Sequence, residues 1–388
     1  MRIYLAFFQT LARGPGTANY GFWADMLRAG LQEAGHTVLE TAGLDWAEGM
    51  SVGEAAELRA WRDRAWTRAL ADLATHQAAG GVDLFLGYFF PKQVETGALV
   101  EIARRGIPTV NFFCDNVREF RTVPAAYRSF TLHWVPEWEA VSLYAAAGLR
   151  CLHAPMPVWV PPAARTLPTQ EEPIATFLGS RDDLRADLFG RLARHGGRVR
   201  IHGKGWVRGP AGEPGAAPRP QASFVASQWR YFRHHGLAAW LRKFSPRPAR
   251  SEPPPDWLGA PVPRDEYFRL TRESAVTVGV NRFDSPRVPR GRIATYSRLR
   301  DLEAPMLGAC YLTEWAAGLD RLYDLDREIA VYRDEAGLAE HINALLADPP
   351  RRARMRRAAQ ARALGEHSIG PTLAKIAAAV GLSPAAPR

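Results

Sequence analysis

SRLRDLEAPMLGACYLTE, residues Ser297 to Glu314, begins polar and ends apolar. Arg298, Arg300, Asp301 and Glu303 crowd its first turn, and an apolar run with the small pair Gly308–Ala309 follows. The stretch reads as a helix that runs into a strand packed in a core. The same alternation continues outward on both sides. Upstream, DEYFRLTRESAVTVGVN passes from helix to strand; downstream come a strand at IAVYR, a helix at EAGLAEHINALLAD, Arg-rich helical turns and a final helix at TLAKIAAAVG. Strands that alternate with helices imply βαβ units and a mostly parallel sheet.

The N-terminal half has the same grammar. RIYLAFF is a strand, and YGFWADMLRAGLQEAG is a helix with Phe22, Met26, Leu27 and Leu31 at helical spacing and a stop at Gly35. HTVLE, VDLFLGYFF, TVNFF, LHWVP and RCLHAP follow as strands, separated by helices such as AAELRAWRDRAWTRALADLATHQ and WEAVSLYAAAG. These strands are apolar throughout, as strands covered on both faces should be. MPVWVPPAARTLPTQEEP, Met156 to Pro173, is Pro-rich and aperiodic and reads as a linker. The pattern then restarts with IATFLGS, RADLFGRLARHG and RVRIHG. The expected architecture is α/β, with two Rossmann-like domains facing each other across a cleft. Residues 1–158 form the first, 159–173 the linker, 174–370 the second with a basic, Pro-rich insert at about 208–264, and 371–388 a C-terminal helix and tail.

At 388 residues the chain is too long for one ordinary domain and suits two of roughly 150–200 residues each. No apolar run approaches the roughly 20 residues that cross a bilayer. The start, MRIYLAFFQTLARG, lacks the long apolar region and cleavage site of a signal peptide. Cys114, Cys151 and Cys310 are scattered without metal-ligand spacing, which suits reduced thiols and a cytoplasmic location. The net charge of +10, with arginine dense between Arg208 and Arg250, favours anionic partners. Residues 222–244 interleave aromatics with arginine and histidine. They suit a packed lid, or peripheral contact with an anionic membrane at its inner face. No recognised nucleic-acid-binding motif is present, so nucleic acid is not an expected partner.

In open parallel sheets ligands bind beyond the carboxyl ends of the strands. Gly179 and Ser180 follow a strand and precede a helix, where backbone amides attract phosphate and Arg185 adds charge. Gly203 and Gly205 follow the next strand, with Trp206 as a candidate stacking face for a base. Asn281 and Arg282 end a third strand, either as polar ligand contacts or as a surface turn. The helix dipole alone explains a carboxylate near a helix start, so Glu303 could simply cap its own helix. The apolar run after it nevertheless places it at the rim of a buried element. There a carboxylate can accept paired ribose hydroxyls, and Arg298 or Arg300 can take a diphosphate through a planar fork.

RDLEAPMLGA, followed by EIAVY, LLADPPRRARM and ALGEHS, resembles the C-terminal domain of CgeB-like (spore maturation protein B-like) glycosyltransferases of the GT-B fold. FLGS with its following Arg, IHGKGW, LQEAGHTVLE and NFFCDN are similar to other elements of that fold. The resemblance implies a hexosyltransferase with a nucleotide-sugar donor, UDP- or GDP-linked, held by the second domain. It implies ribose contact by Glu303, a nucleotide pocket lined by Gly179, Ser180, Arg185, Gly203, Gly205 and Trp206, and Arg282 and Arg300 near the diphosphate, with Asn281, Arg298 and Gly308 also on the donor side. It implies no metal and no other cofactor. Many retaining members carry a second Glu eight positions earlier; here that position is Thr295. An inverting enzyme needs a general base from the first domain, for which Asp115 and His133 are candidates at strand ends. Gly14, Gly16 and Asn19 are candidates for acceptor contact or a lid. The acceptor would be a cell-surface glycan, lipid or protein. A sugar-nucleotide 2-epimerase-like enzyme and a non-catalytic nucleotide-sugar-binding protein of the same fold remain as alternatives.

Overall fold

The structure is a computed structural model that describes residues 1–7, 21–207, 250–284 and 293–382. The chain divides into two units, Met1–Val160 with Ala363–Arg388, and Pro161–Arg362.

The first unit is built on a six-stranded sheet of order β2-β1-β3-β4-β5-β6, parallel at every pairing. Its strands are β1 (Arg2–Ala6), β2 (Thr37–Leu39), β3 (Leu84–Gly87), β4 (Thr109–Phe112), β5 (Leu132–Val135) and β6 (Cys151–His153). The crossovers include α1 (Gly21–Glu33), α2 (Ala55–Ala78), α3 (Thr96–Arg104) and α4 (Trp138–Ala146). β1, β3, β4 and β5 are buried nearly throughout, which is why they read as unbroken apolar runs rather than alternating ones. α2 buries one stripe, Trp61, Ala65, Trp66, Ala69 and Leu73. Trp66 meets Trp46 and Phe89 with ring centroids 5.1 and 5.2 Å away, and its indole donates to the Gln93 carbonyl at 2.9 Å.

The second unit is a six-stranded parallel sheet of order β14-β13-β10-β7-β8-β9. Its strands are β7 (Glu172–Leu178), β8 (Arg200–His202), β9 (Leu258–Gly259), β10 (Ser274–Gly279), β13 (Tyr311–Glu314) and β14 (Ala330–Tyr332). A separate antiparallel pair, β11 (Arg282–Phe283) with β12 (Ala294–Thr295), lies between β10 and β13 in the chain. The helices are α5 (Asp183–Arg194), α6 (Arg264–Glu273), α7 (Arg300–Met306), α8 (Glu335–Ala347) and α9 (Pro349–Glu366); α10 (Ile369–Ala379) follows in the first unit. Chain order reverses between β7 and β10, so this is the doubly wound arrangement whose ligand crevice opens where neighbouring strands diverge.

Two expectations change. The sheet reaches into the segment taken as an insert: Trp257 is buried and β9 pairs with β8, so residues 257–259 belong to the domain core. The last helix is no separate tail; Ile369 sits directly on the backbone of Gly30 in α1, where a Cβ would come within 2.4 Å of it. Gly14, Gly16 and Asn19, and the 222–244 stretch considered for membrane contact, lie outside the described residues. Among the described residues no helix is long and apolar enough to cross a membrane.

Candidate functional site

The carboxyl ends of β7, β8 and β9 converge on a cleft of about 170 Å³ lined by residues that include Gly179, Ser180, Gly203, Val262, Tyr267 and Arg300. Its floor depends on glycine. Gly203 has φ of 153°, and a Cβ there would lie 2.1 Å from the Gly179 carbonyl oxygen, so the two strand-end loops meet backbone to backbone. The Gly179 amide donates to the His202 carbonyl at 2.8 Å, and the Arg181 amide to that of Lys204 at 2.8 Å. α5 starts behind this floor, with the Asp182 carboxylate accepting from the Arg185 amide at 2.9 Å.

The polar start of α7 divides its side chains by direction. Asp301 turns inward and is fully buried. It accepts hydrogen bonds from Asn281 (3.0 Å), Ser297 (2.9 Å), the Arg298 amide (3.0 Å), Tyr311 (2.8 Å) and Thr313 (2.8 Å). Burial raises its carboxyl above the ordinary range, and these donors oppose the rise. Arg300 and Glu303, one turn apart, point the other way. Glu303 accepts from the Tyr267 hydroxyl and caps no backbone amide. Burial pushes its carboxyl up, while Arg300, Tyr267 and Arg264 pull against that.

Three guanidiniums gather beside the cleft. Arg185 and Arg300 lie over the Phe177 ring at 5.6 and 5.9 Å, and Arg300 also faces Tyr267 at 5.4 Å. Arg298 lies over Tyr296 at 4.9 Å and donates to the Arg282 carbonyl at 2.9 Å, but its buried Nε has no partner among the described residues. Arg300 makes no hydrogen bond or ion pair with a described residue. Burial first, with the positive charges of Arg298 and Arg300 adding to it, lowers Arg185 to about 10, against the pull of Asp182. Asp182 pairs with Arg185 at 3.2 Å, while Arg298 and Arg300 form no ion pair with a described residue, and this excess of positive charge suits an anionic ligand.

Several expected contacts are withdrawn. Trp206 is no stacking face: it is buried against Phe177 and Phe189, and its indole donates to the Gly179 carbonyl at 2.6 Å. Arg282 is 2% exposed and locked to Glu314, with Nε and Nη2 at 2.8 and 2.7 Å from Oε1, because a charge this deep must be paired. Asn281 spends its amide on Asp301, Thr313 and the Glu314 carbonyl. Gly308 ends α7 with φ of 80° and lies against Leu167 and Gln360, away from the cleft lining. Gly205 turns the loop after β8 with φ of 86°. Thr295 lies in β12, paired with Arg282.

In the first unit His133 is withdrawn as a base. It is 1% exposed within β5, packed among Tyr127, Phe130 and Tyr144, and burial drives its imidazole down to about 4. Asp115, half-buried beyond the end of β4, is 3.4 Å from Arg118. Its neighbour Glu137, which the sequence pattern did not single out, is fully buried beyond the end of β5. One oxygen of Glu137 accepts from Asn116 at 2.5 Å and the other has no partner among the described residues. Burial foremost, with Asp115 adding to it, raises this carboxyl to about 8. Only the acid immediately before a helix, in WVPEW, could have signalled it.

The sequence contains one Asp-x-Asp tripeptide, Asp324-Leu325-Asp326, in which Asp324 pairs with Arg327 at 3.0 Å. Among the described residues no group of three or more His, Cys, Asp or Glu side chains is placed to hold a metal ion.

Residues 185–378, half of the chain, match the family model described as glycosyl transferase-like. No curated protein matches the sequence. Among solved structures, the sucrose-phosphate synthase of Thermosynechococcus elongatus is similar at 12% identity and a TM-score of 0.53, with 97% of each chain covered. Alr3699/HepE of Anabaena, solved in complex with UDP, has 12% identity and a TM-score of 0.53 over 97% of this chain and 99% of its own. AviGT4, a glycosyltransferase of avilamycin A biosynthesis, has 16% identity and a TM-score of 0.51 over 98% of both chains. At these identities the likeness is one of fold, that of GT-B glycosyltransferases with two parallel-sheet Rossmann-like domains. The specific likeness to CgeB-like proteins is not resolved by these matches. The match over half of its length decides the broader question: the chain belongs to the glycosyl transferase-like family.

Proposed function

We propose that this glycosyltransferase takes its sugar from a UDP- or GDP-linked donor held in the second unit. The carrying observation is the cleft at the β7–β8 carboxyl ends, lined in part by Tyr267 and Arg300, with Glu303 bonded to Tyr267 and with Arg300, which pairs with no described residue, among three guanidiniums. In this reading Glu303 accepts ribose hydroxyls, Gly179 and Gly203 let the backbone approach the nucleotide, and Arg185, Arg298 and Arg300 meet the diphosphate. Positive groups fixed before the reaction stabilise the charge that develops on the departing nucleoside diphosphate. In an inverting transfer Asp115 would take the acceptor proton. The acceptor is a glycan, lipid or protein, and metal is not required. The Anabaena protein of the same fold, solved with UDP, supports the nucleotide class.

The test is a thermal-shift screen of wild type and Glu303→Ala against UDP, GDP, CDP, dTDP and their sugars, without added metal. A ligand bound only by the native state raises apparent stability, by about 2.7 kcal/mol at a hundredfold excess over Kd. A shift with UDP or GDP that Glu303→Ala loses is the expected result. No shift with any nucleotide would remove the donor pocket from consideration.

A further inference from the structure

Arg300 and Glu303 are one turn apart on α7, a spacing at which opposite charges ordinarily pair. Here they form no ion pair within 4 Å, although the cleft opens beside them. Tyr267, arriving on α6, accounts for the separation. Its ring carries the Arg300 guanidinium 5.4 Å from the centroid, and its hydroxyl donates to Glu303 Oε2. Burial first, with the nearby Glu303 charge adding to it, raises the phenol well above its ordinary value, so it keeps its proton. An ionised carboxylate only accepts, which sets the direction of that bond.

The consequence is a pair of adjacent acceptors, one of them on Tyr267, which lines the cleft. Glu303 Oε1 accepts no hydrogen bond from a described residue. The phenolic oxygen, having given its hydrogen to Oε2, retains acceptor capacity beside it. Two adjacent acceptors match the two donors of a vicinal diol. We infer that Tyr267 is the specificity-determining residue that makes this cleft select a ribonucleotide over its 2′-deoxy counterpart, its oxygen accepting one ribose hydroxyl while Glu303 Oε1 accepts the other. This rests on the donor-pocket reading of Glu303 given above.

The experiment measures Kd for UDP, GDP, 2′-deoxy-UDP and 2′-deoxy-GDP with wild type, Tyr267→Phe and Glu303→Gln, alongside each protein's melting temperature. Wild type is expected to prefer the ribonucleotide by roughly threefold to tenfold, the size of one hydrogen bond between neutral groups. Tyr267→Phe keeps the ring under Arg300 and should bring that ratio close to one while the melting temperature changes little. Glu303→Gln, which replaces the acceptor of the other hydroxyl, should weaken both nucleotides alike and leave the ratio near its wild-type value. A tyrosine with a purely structural role would weaken both nucleotides in proportion and leave the ratio intact, and that result overturns the inference. So does a wild-type ratio near one, which needs no variant to fold. Wild type that binds neither UDP nor GDP overturns the donor-pocket reading and this inference with it.

Discussion

At the scale of single residues, burial decides which charged groups can meet a ligand. Asp301 and Glu303 lie two positions apart on one short helix, yet the first is consumed by five donors while the second, among the described residues, accepts only from Tyr267. Sequence marks both as acids near a helix start but carries nothing about their direction. Arg282 and Trp206 mislead for the same reason, since strand-end position is legible and side-chain pairing is not. In the first unit, burial gives His133 and Glu137 opposite pH signatures. The folded Glu137 carboxyl, raised from 4.5 to about 8, holds a proton that the unfolded chain has already lost in that interval. Its stabilising contribution is full below the unfolded value and is lost as pH rises through the folded one. Folded His133, lowered from 6.5 to about 4, contributes fully above 6.5 and loses that contribution as pH falls toward 4. Glu137→Gln should therefore decline less than wild type between pH 6 and 9, by on the order of a few kcal/mol. Thermal melts across that range check it; an unchanged alkaline decline would show that the carboxyl ionises freely in the fold.

At the scale of elements, the parallel strands were readable because covering both faces demands continuous apolar runs. The helices were readable from their apolar spacing and stops. β9 and the β11–β12 pair were not, because each strand has two residues and exists only through its partner. The glycines of the β7–β8 loops were readable as loop glycines, but their separate reasons are tertiary. Gly203 is barred from a side chain by the Gly179 carbonyl, whereas at Gly205 a Cβ would meet, among the described residues, only Arg181, at 3.4 Å. Gly203→Ala should thus cost about 1–3 kcal/mol and weaken nucleotide binding by displacing the Gly179 loop. Gly205→Ala should cost about 1 kcal/mol, the dihedral penalty alone. Denaturant unfolding of the two variants measures the order, and equal costs would contradict the backbone collision.

At the scale of the whole molecule, the alternation of strands and helices on either side of a Pro-rich linker announced two domains, and two parallel sheets are what the chain builds. The return of α10 to the first unit was not announced. Its apolar face, Ile369, Leu373, Ile376 and Ala377, is buried, and the close approach of Ile369 to α1 is possible only because residue 30 is glycine. Ile369→Ala should lower the stability of that unit by about 2–5 kcal/mol, as other large-to-small core changes do. A thermal unfolding curve like that of wild type would instead mark α10 as a loosely attached tail. The sequence by itself determined the class of fold, the sites of the strand-end loops and the acidic and basic residue types at the start of α7, because hydrophobic periodicity and turn chemistry are local properties. Only the tertiary structure decided that Asp301 and Arg282 are spent inside the core, that Tyr267 holds Glu303 apart from Arg300, and that three arginines stand together beside one cleft. Those outcomes depend on which distant side chains share a space too small for water to keep every charge satisfied.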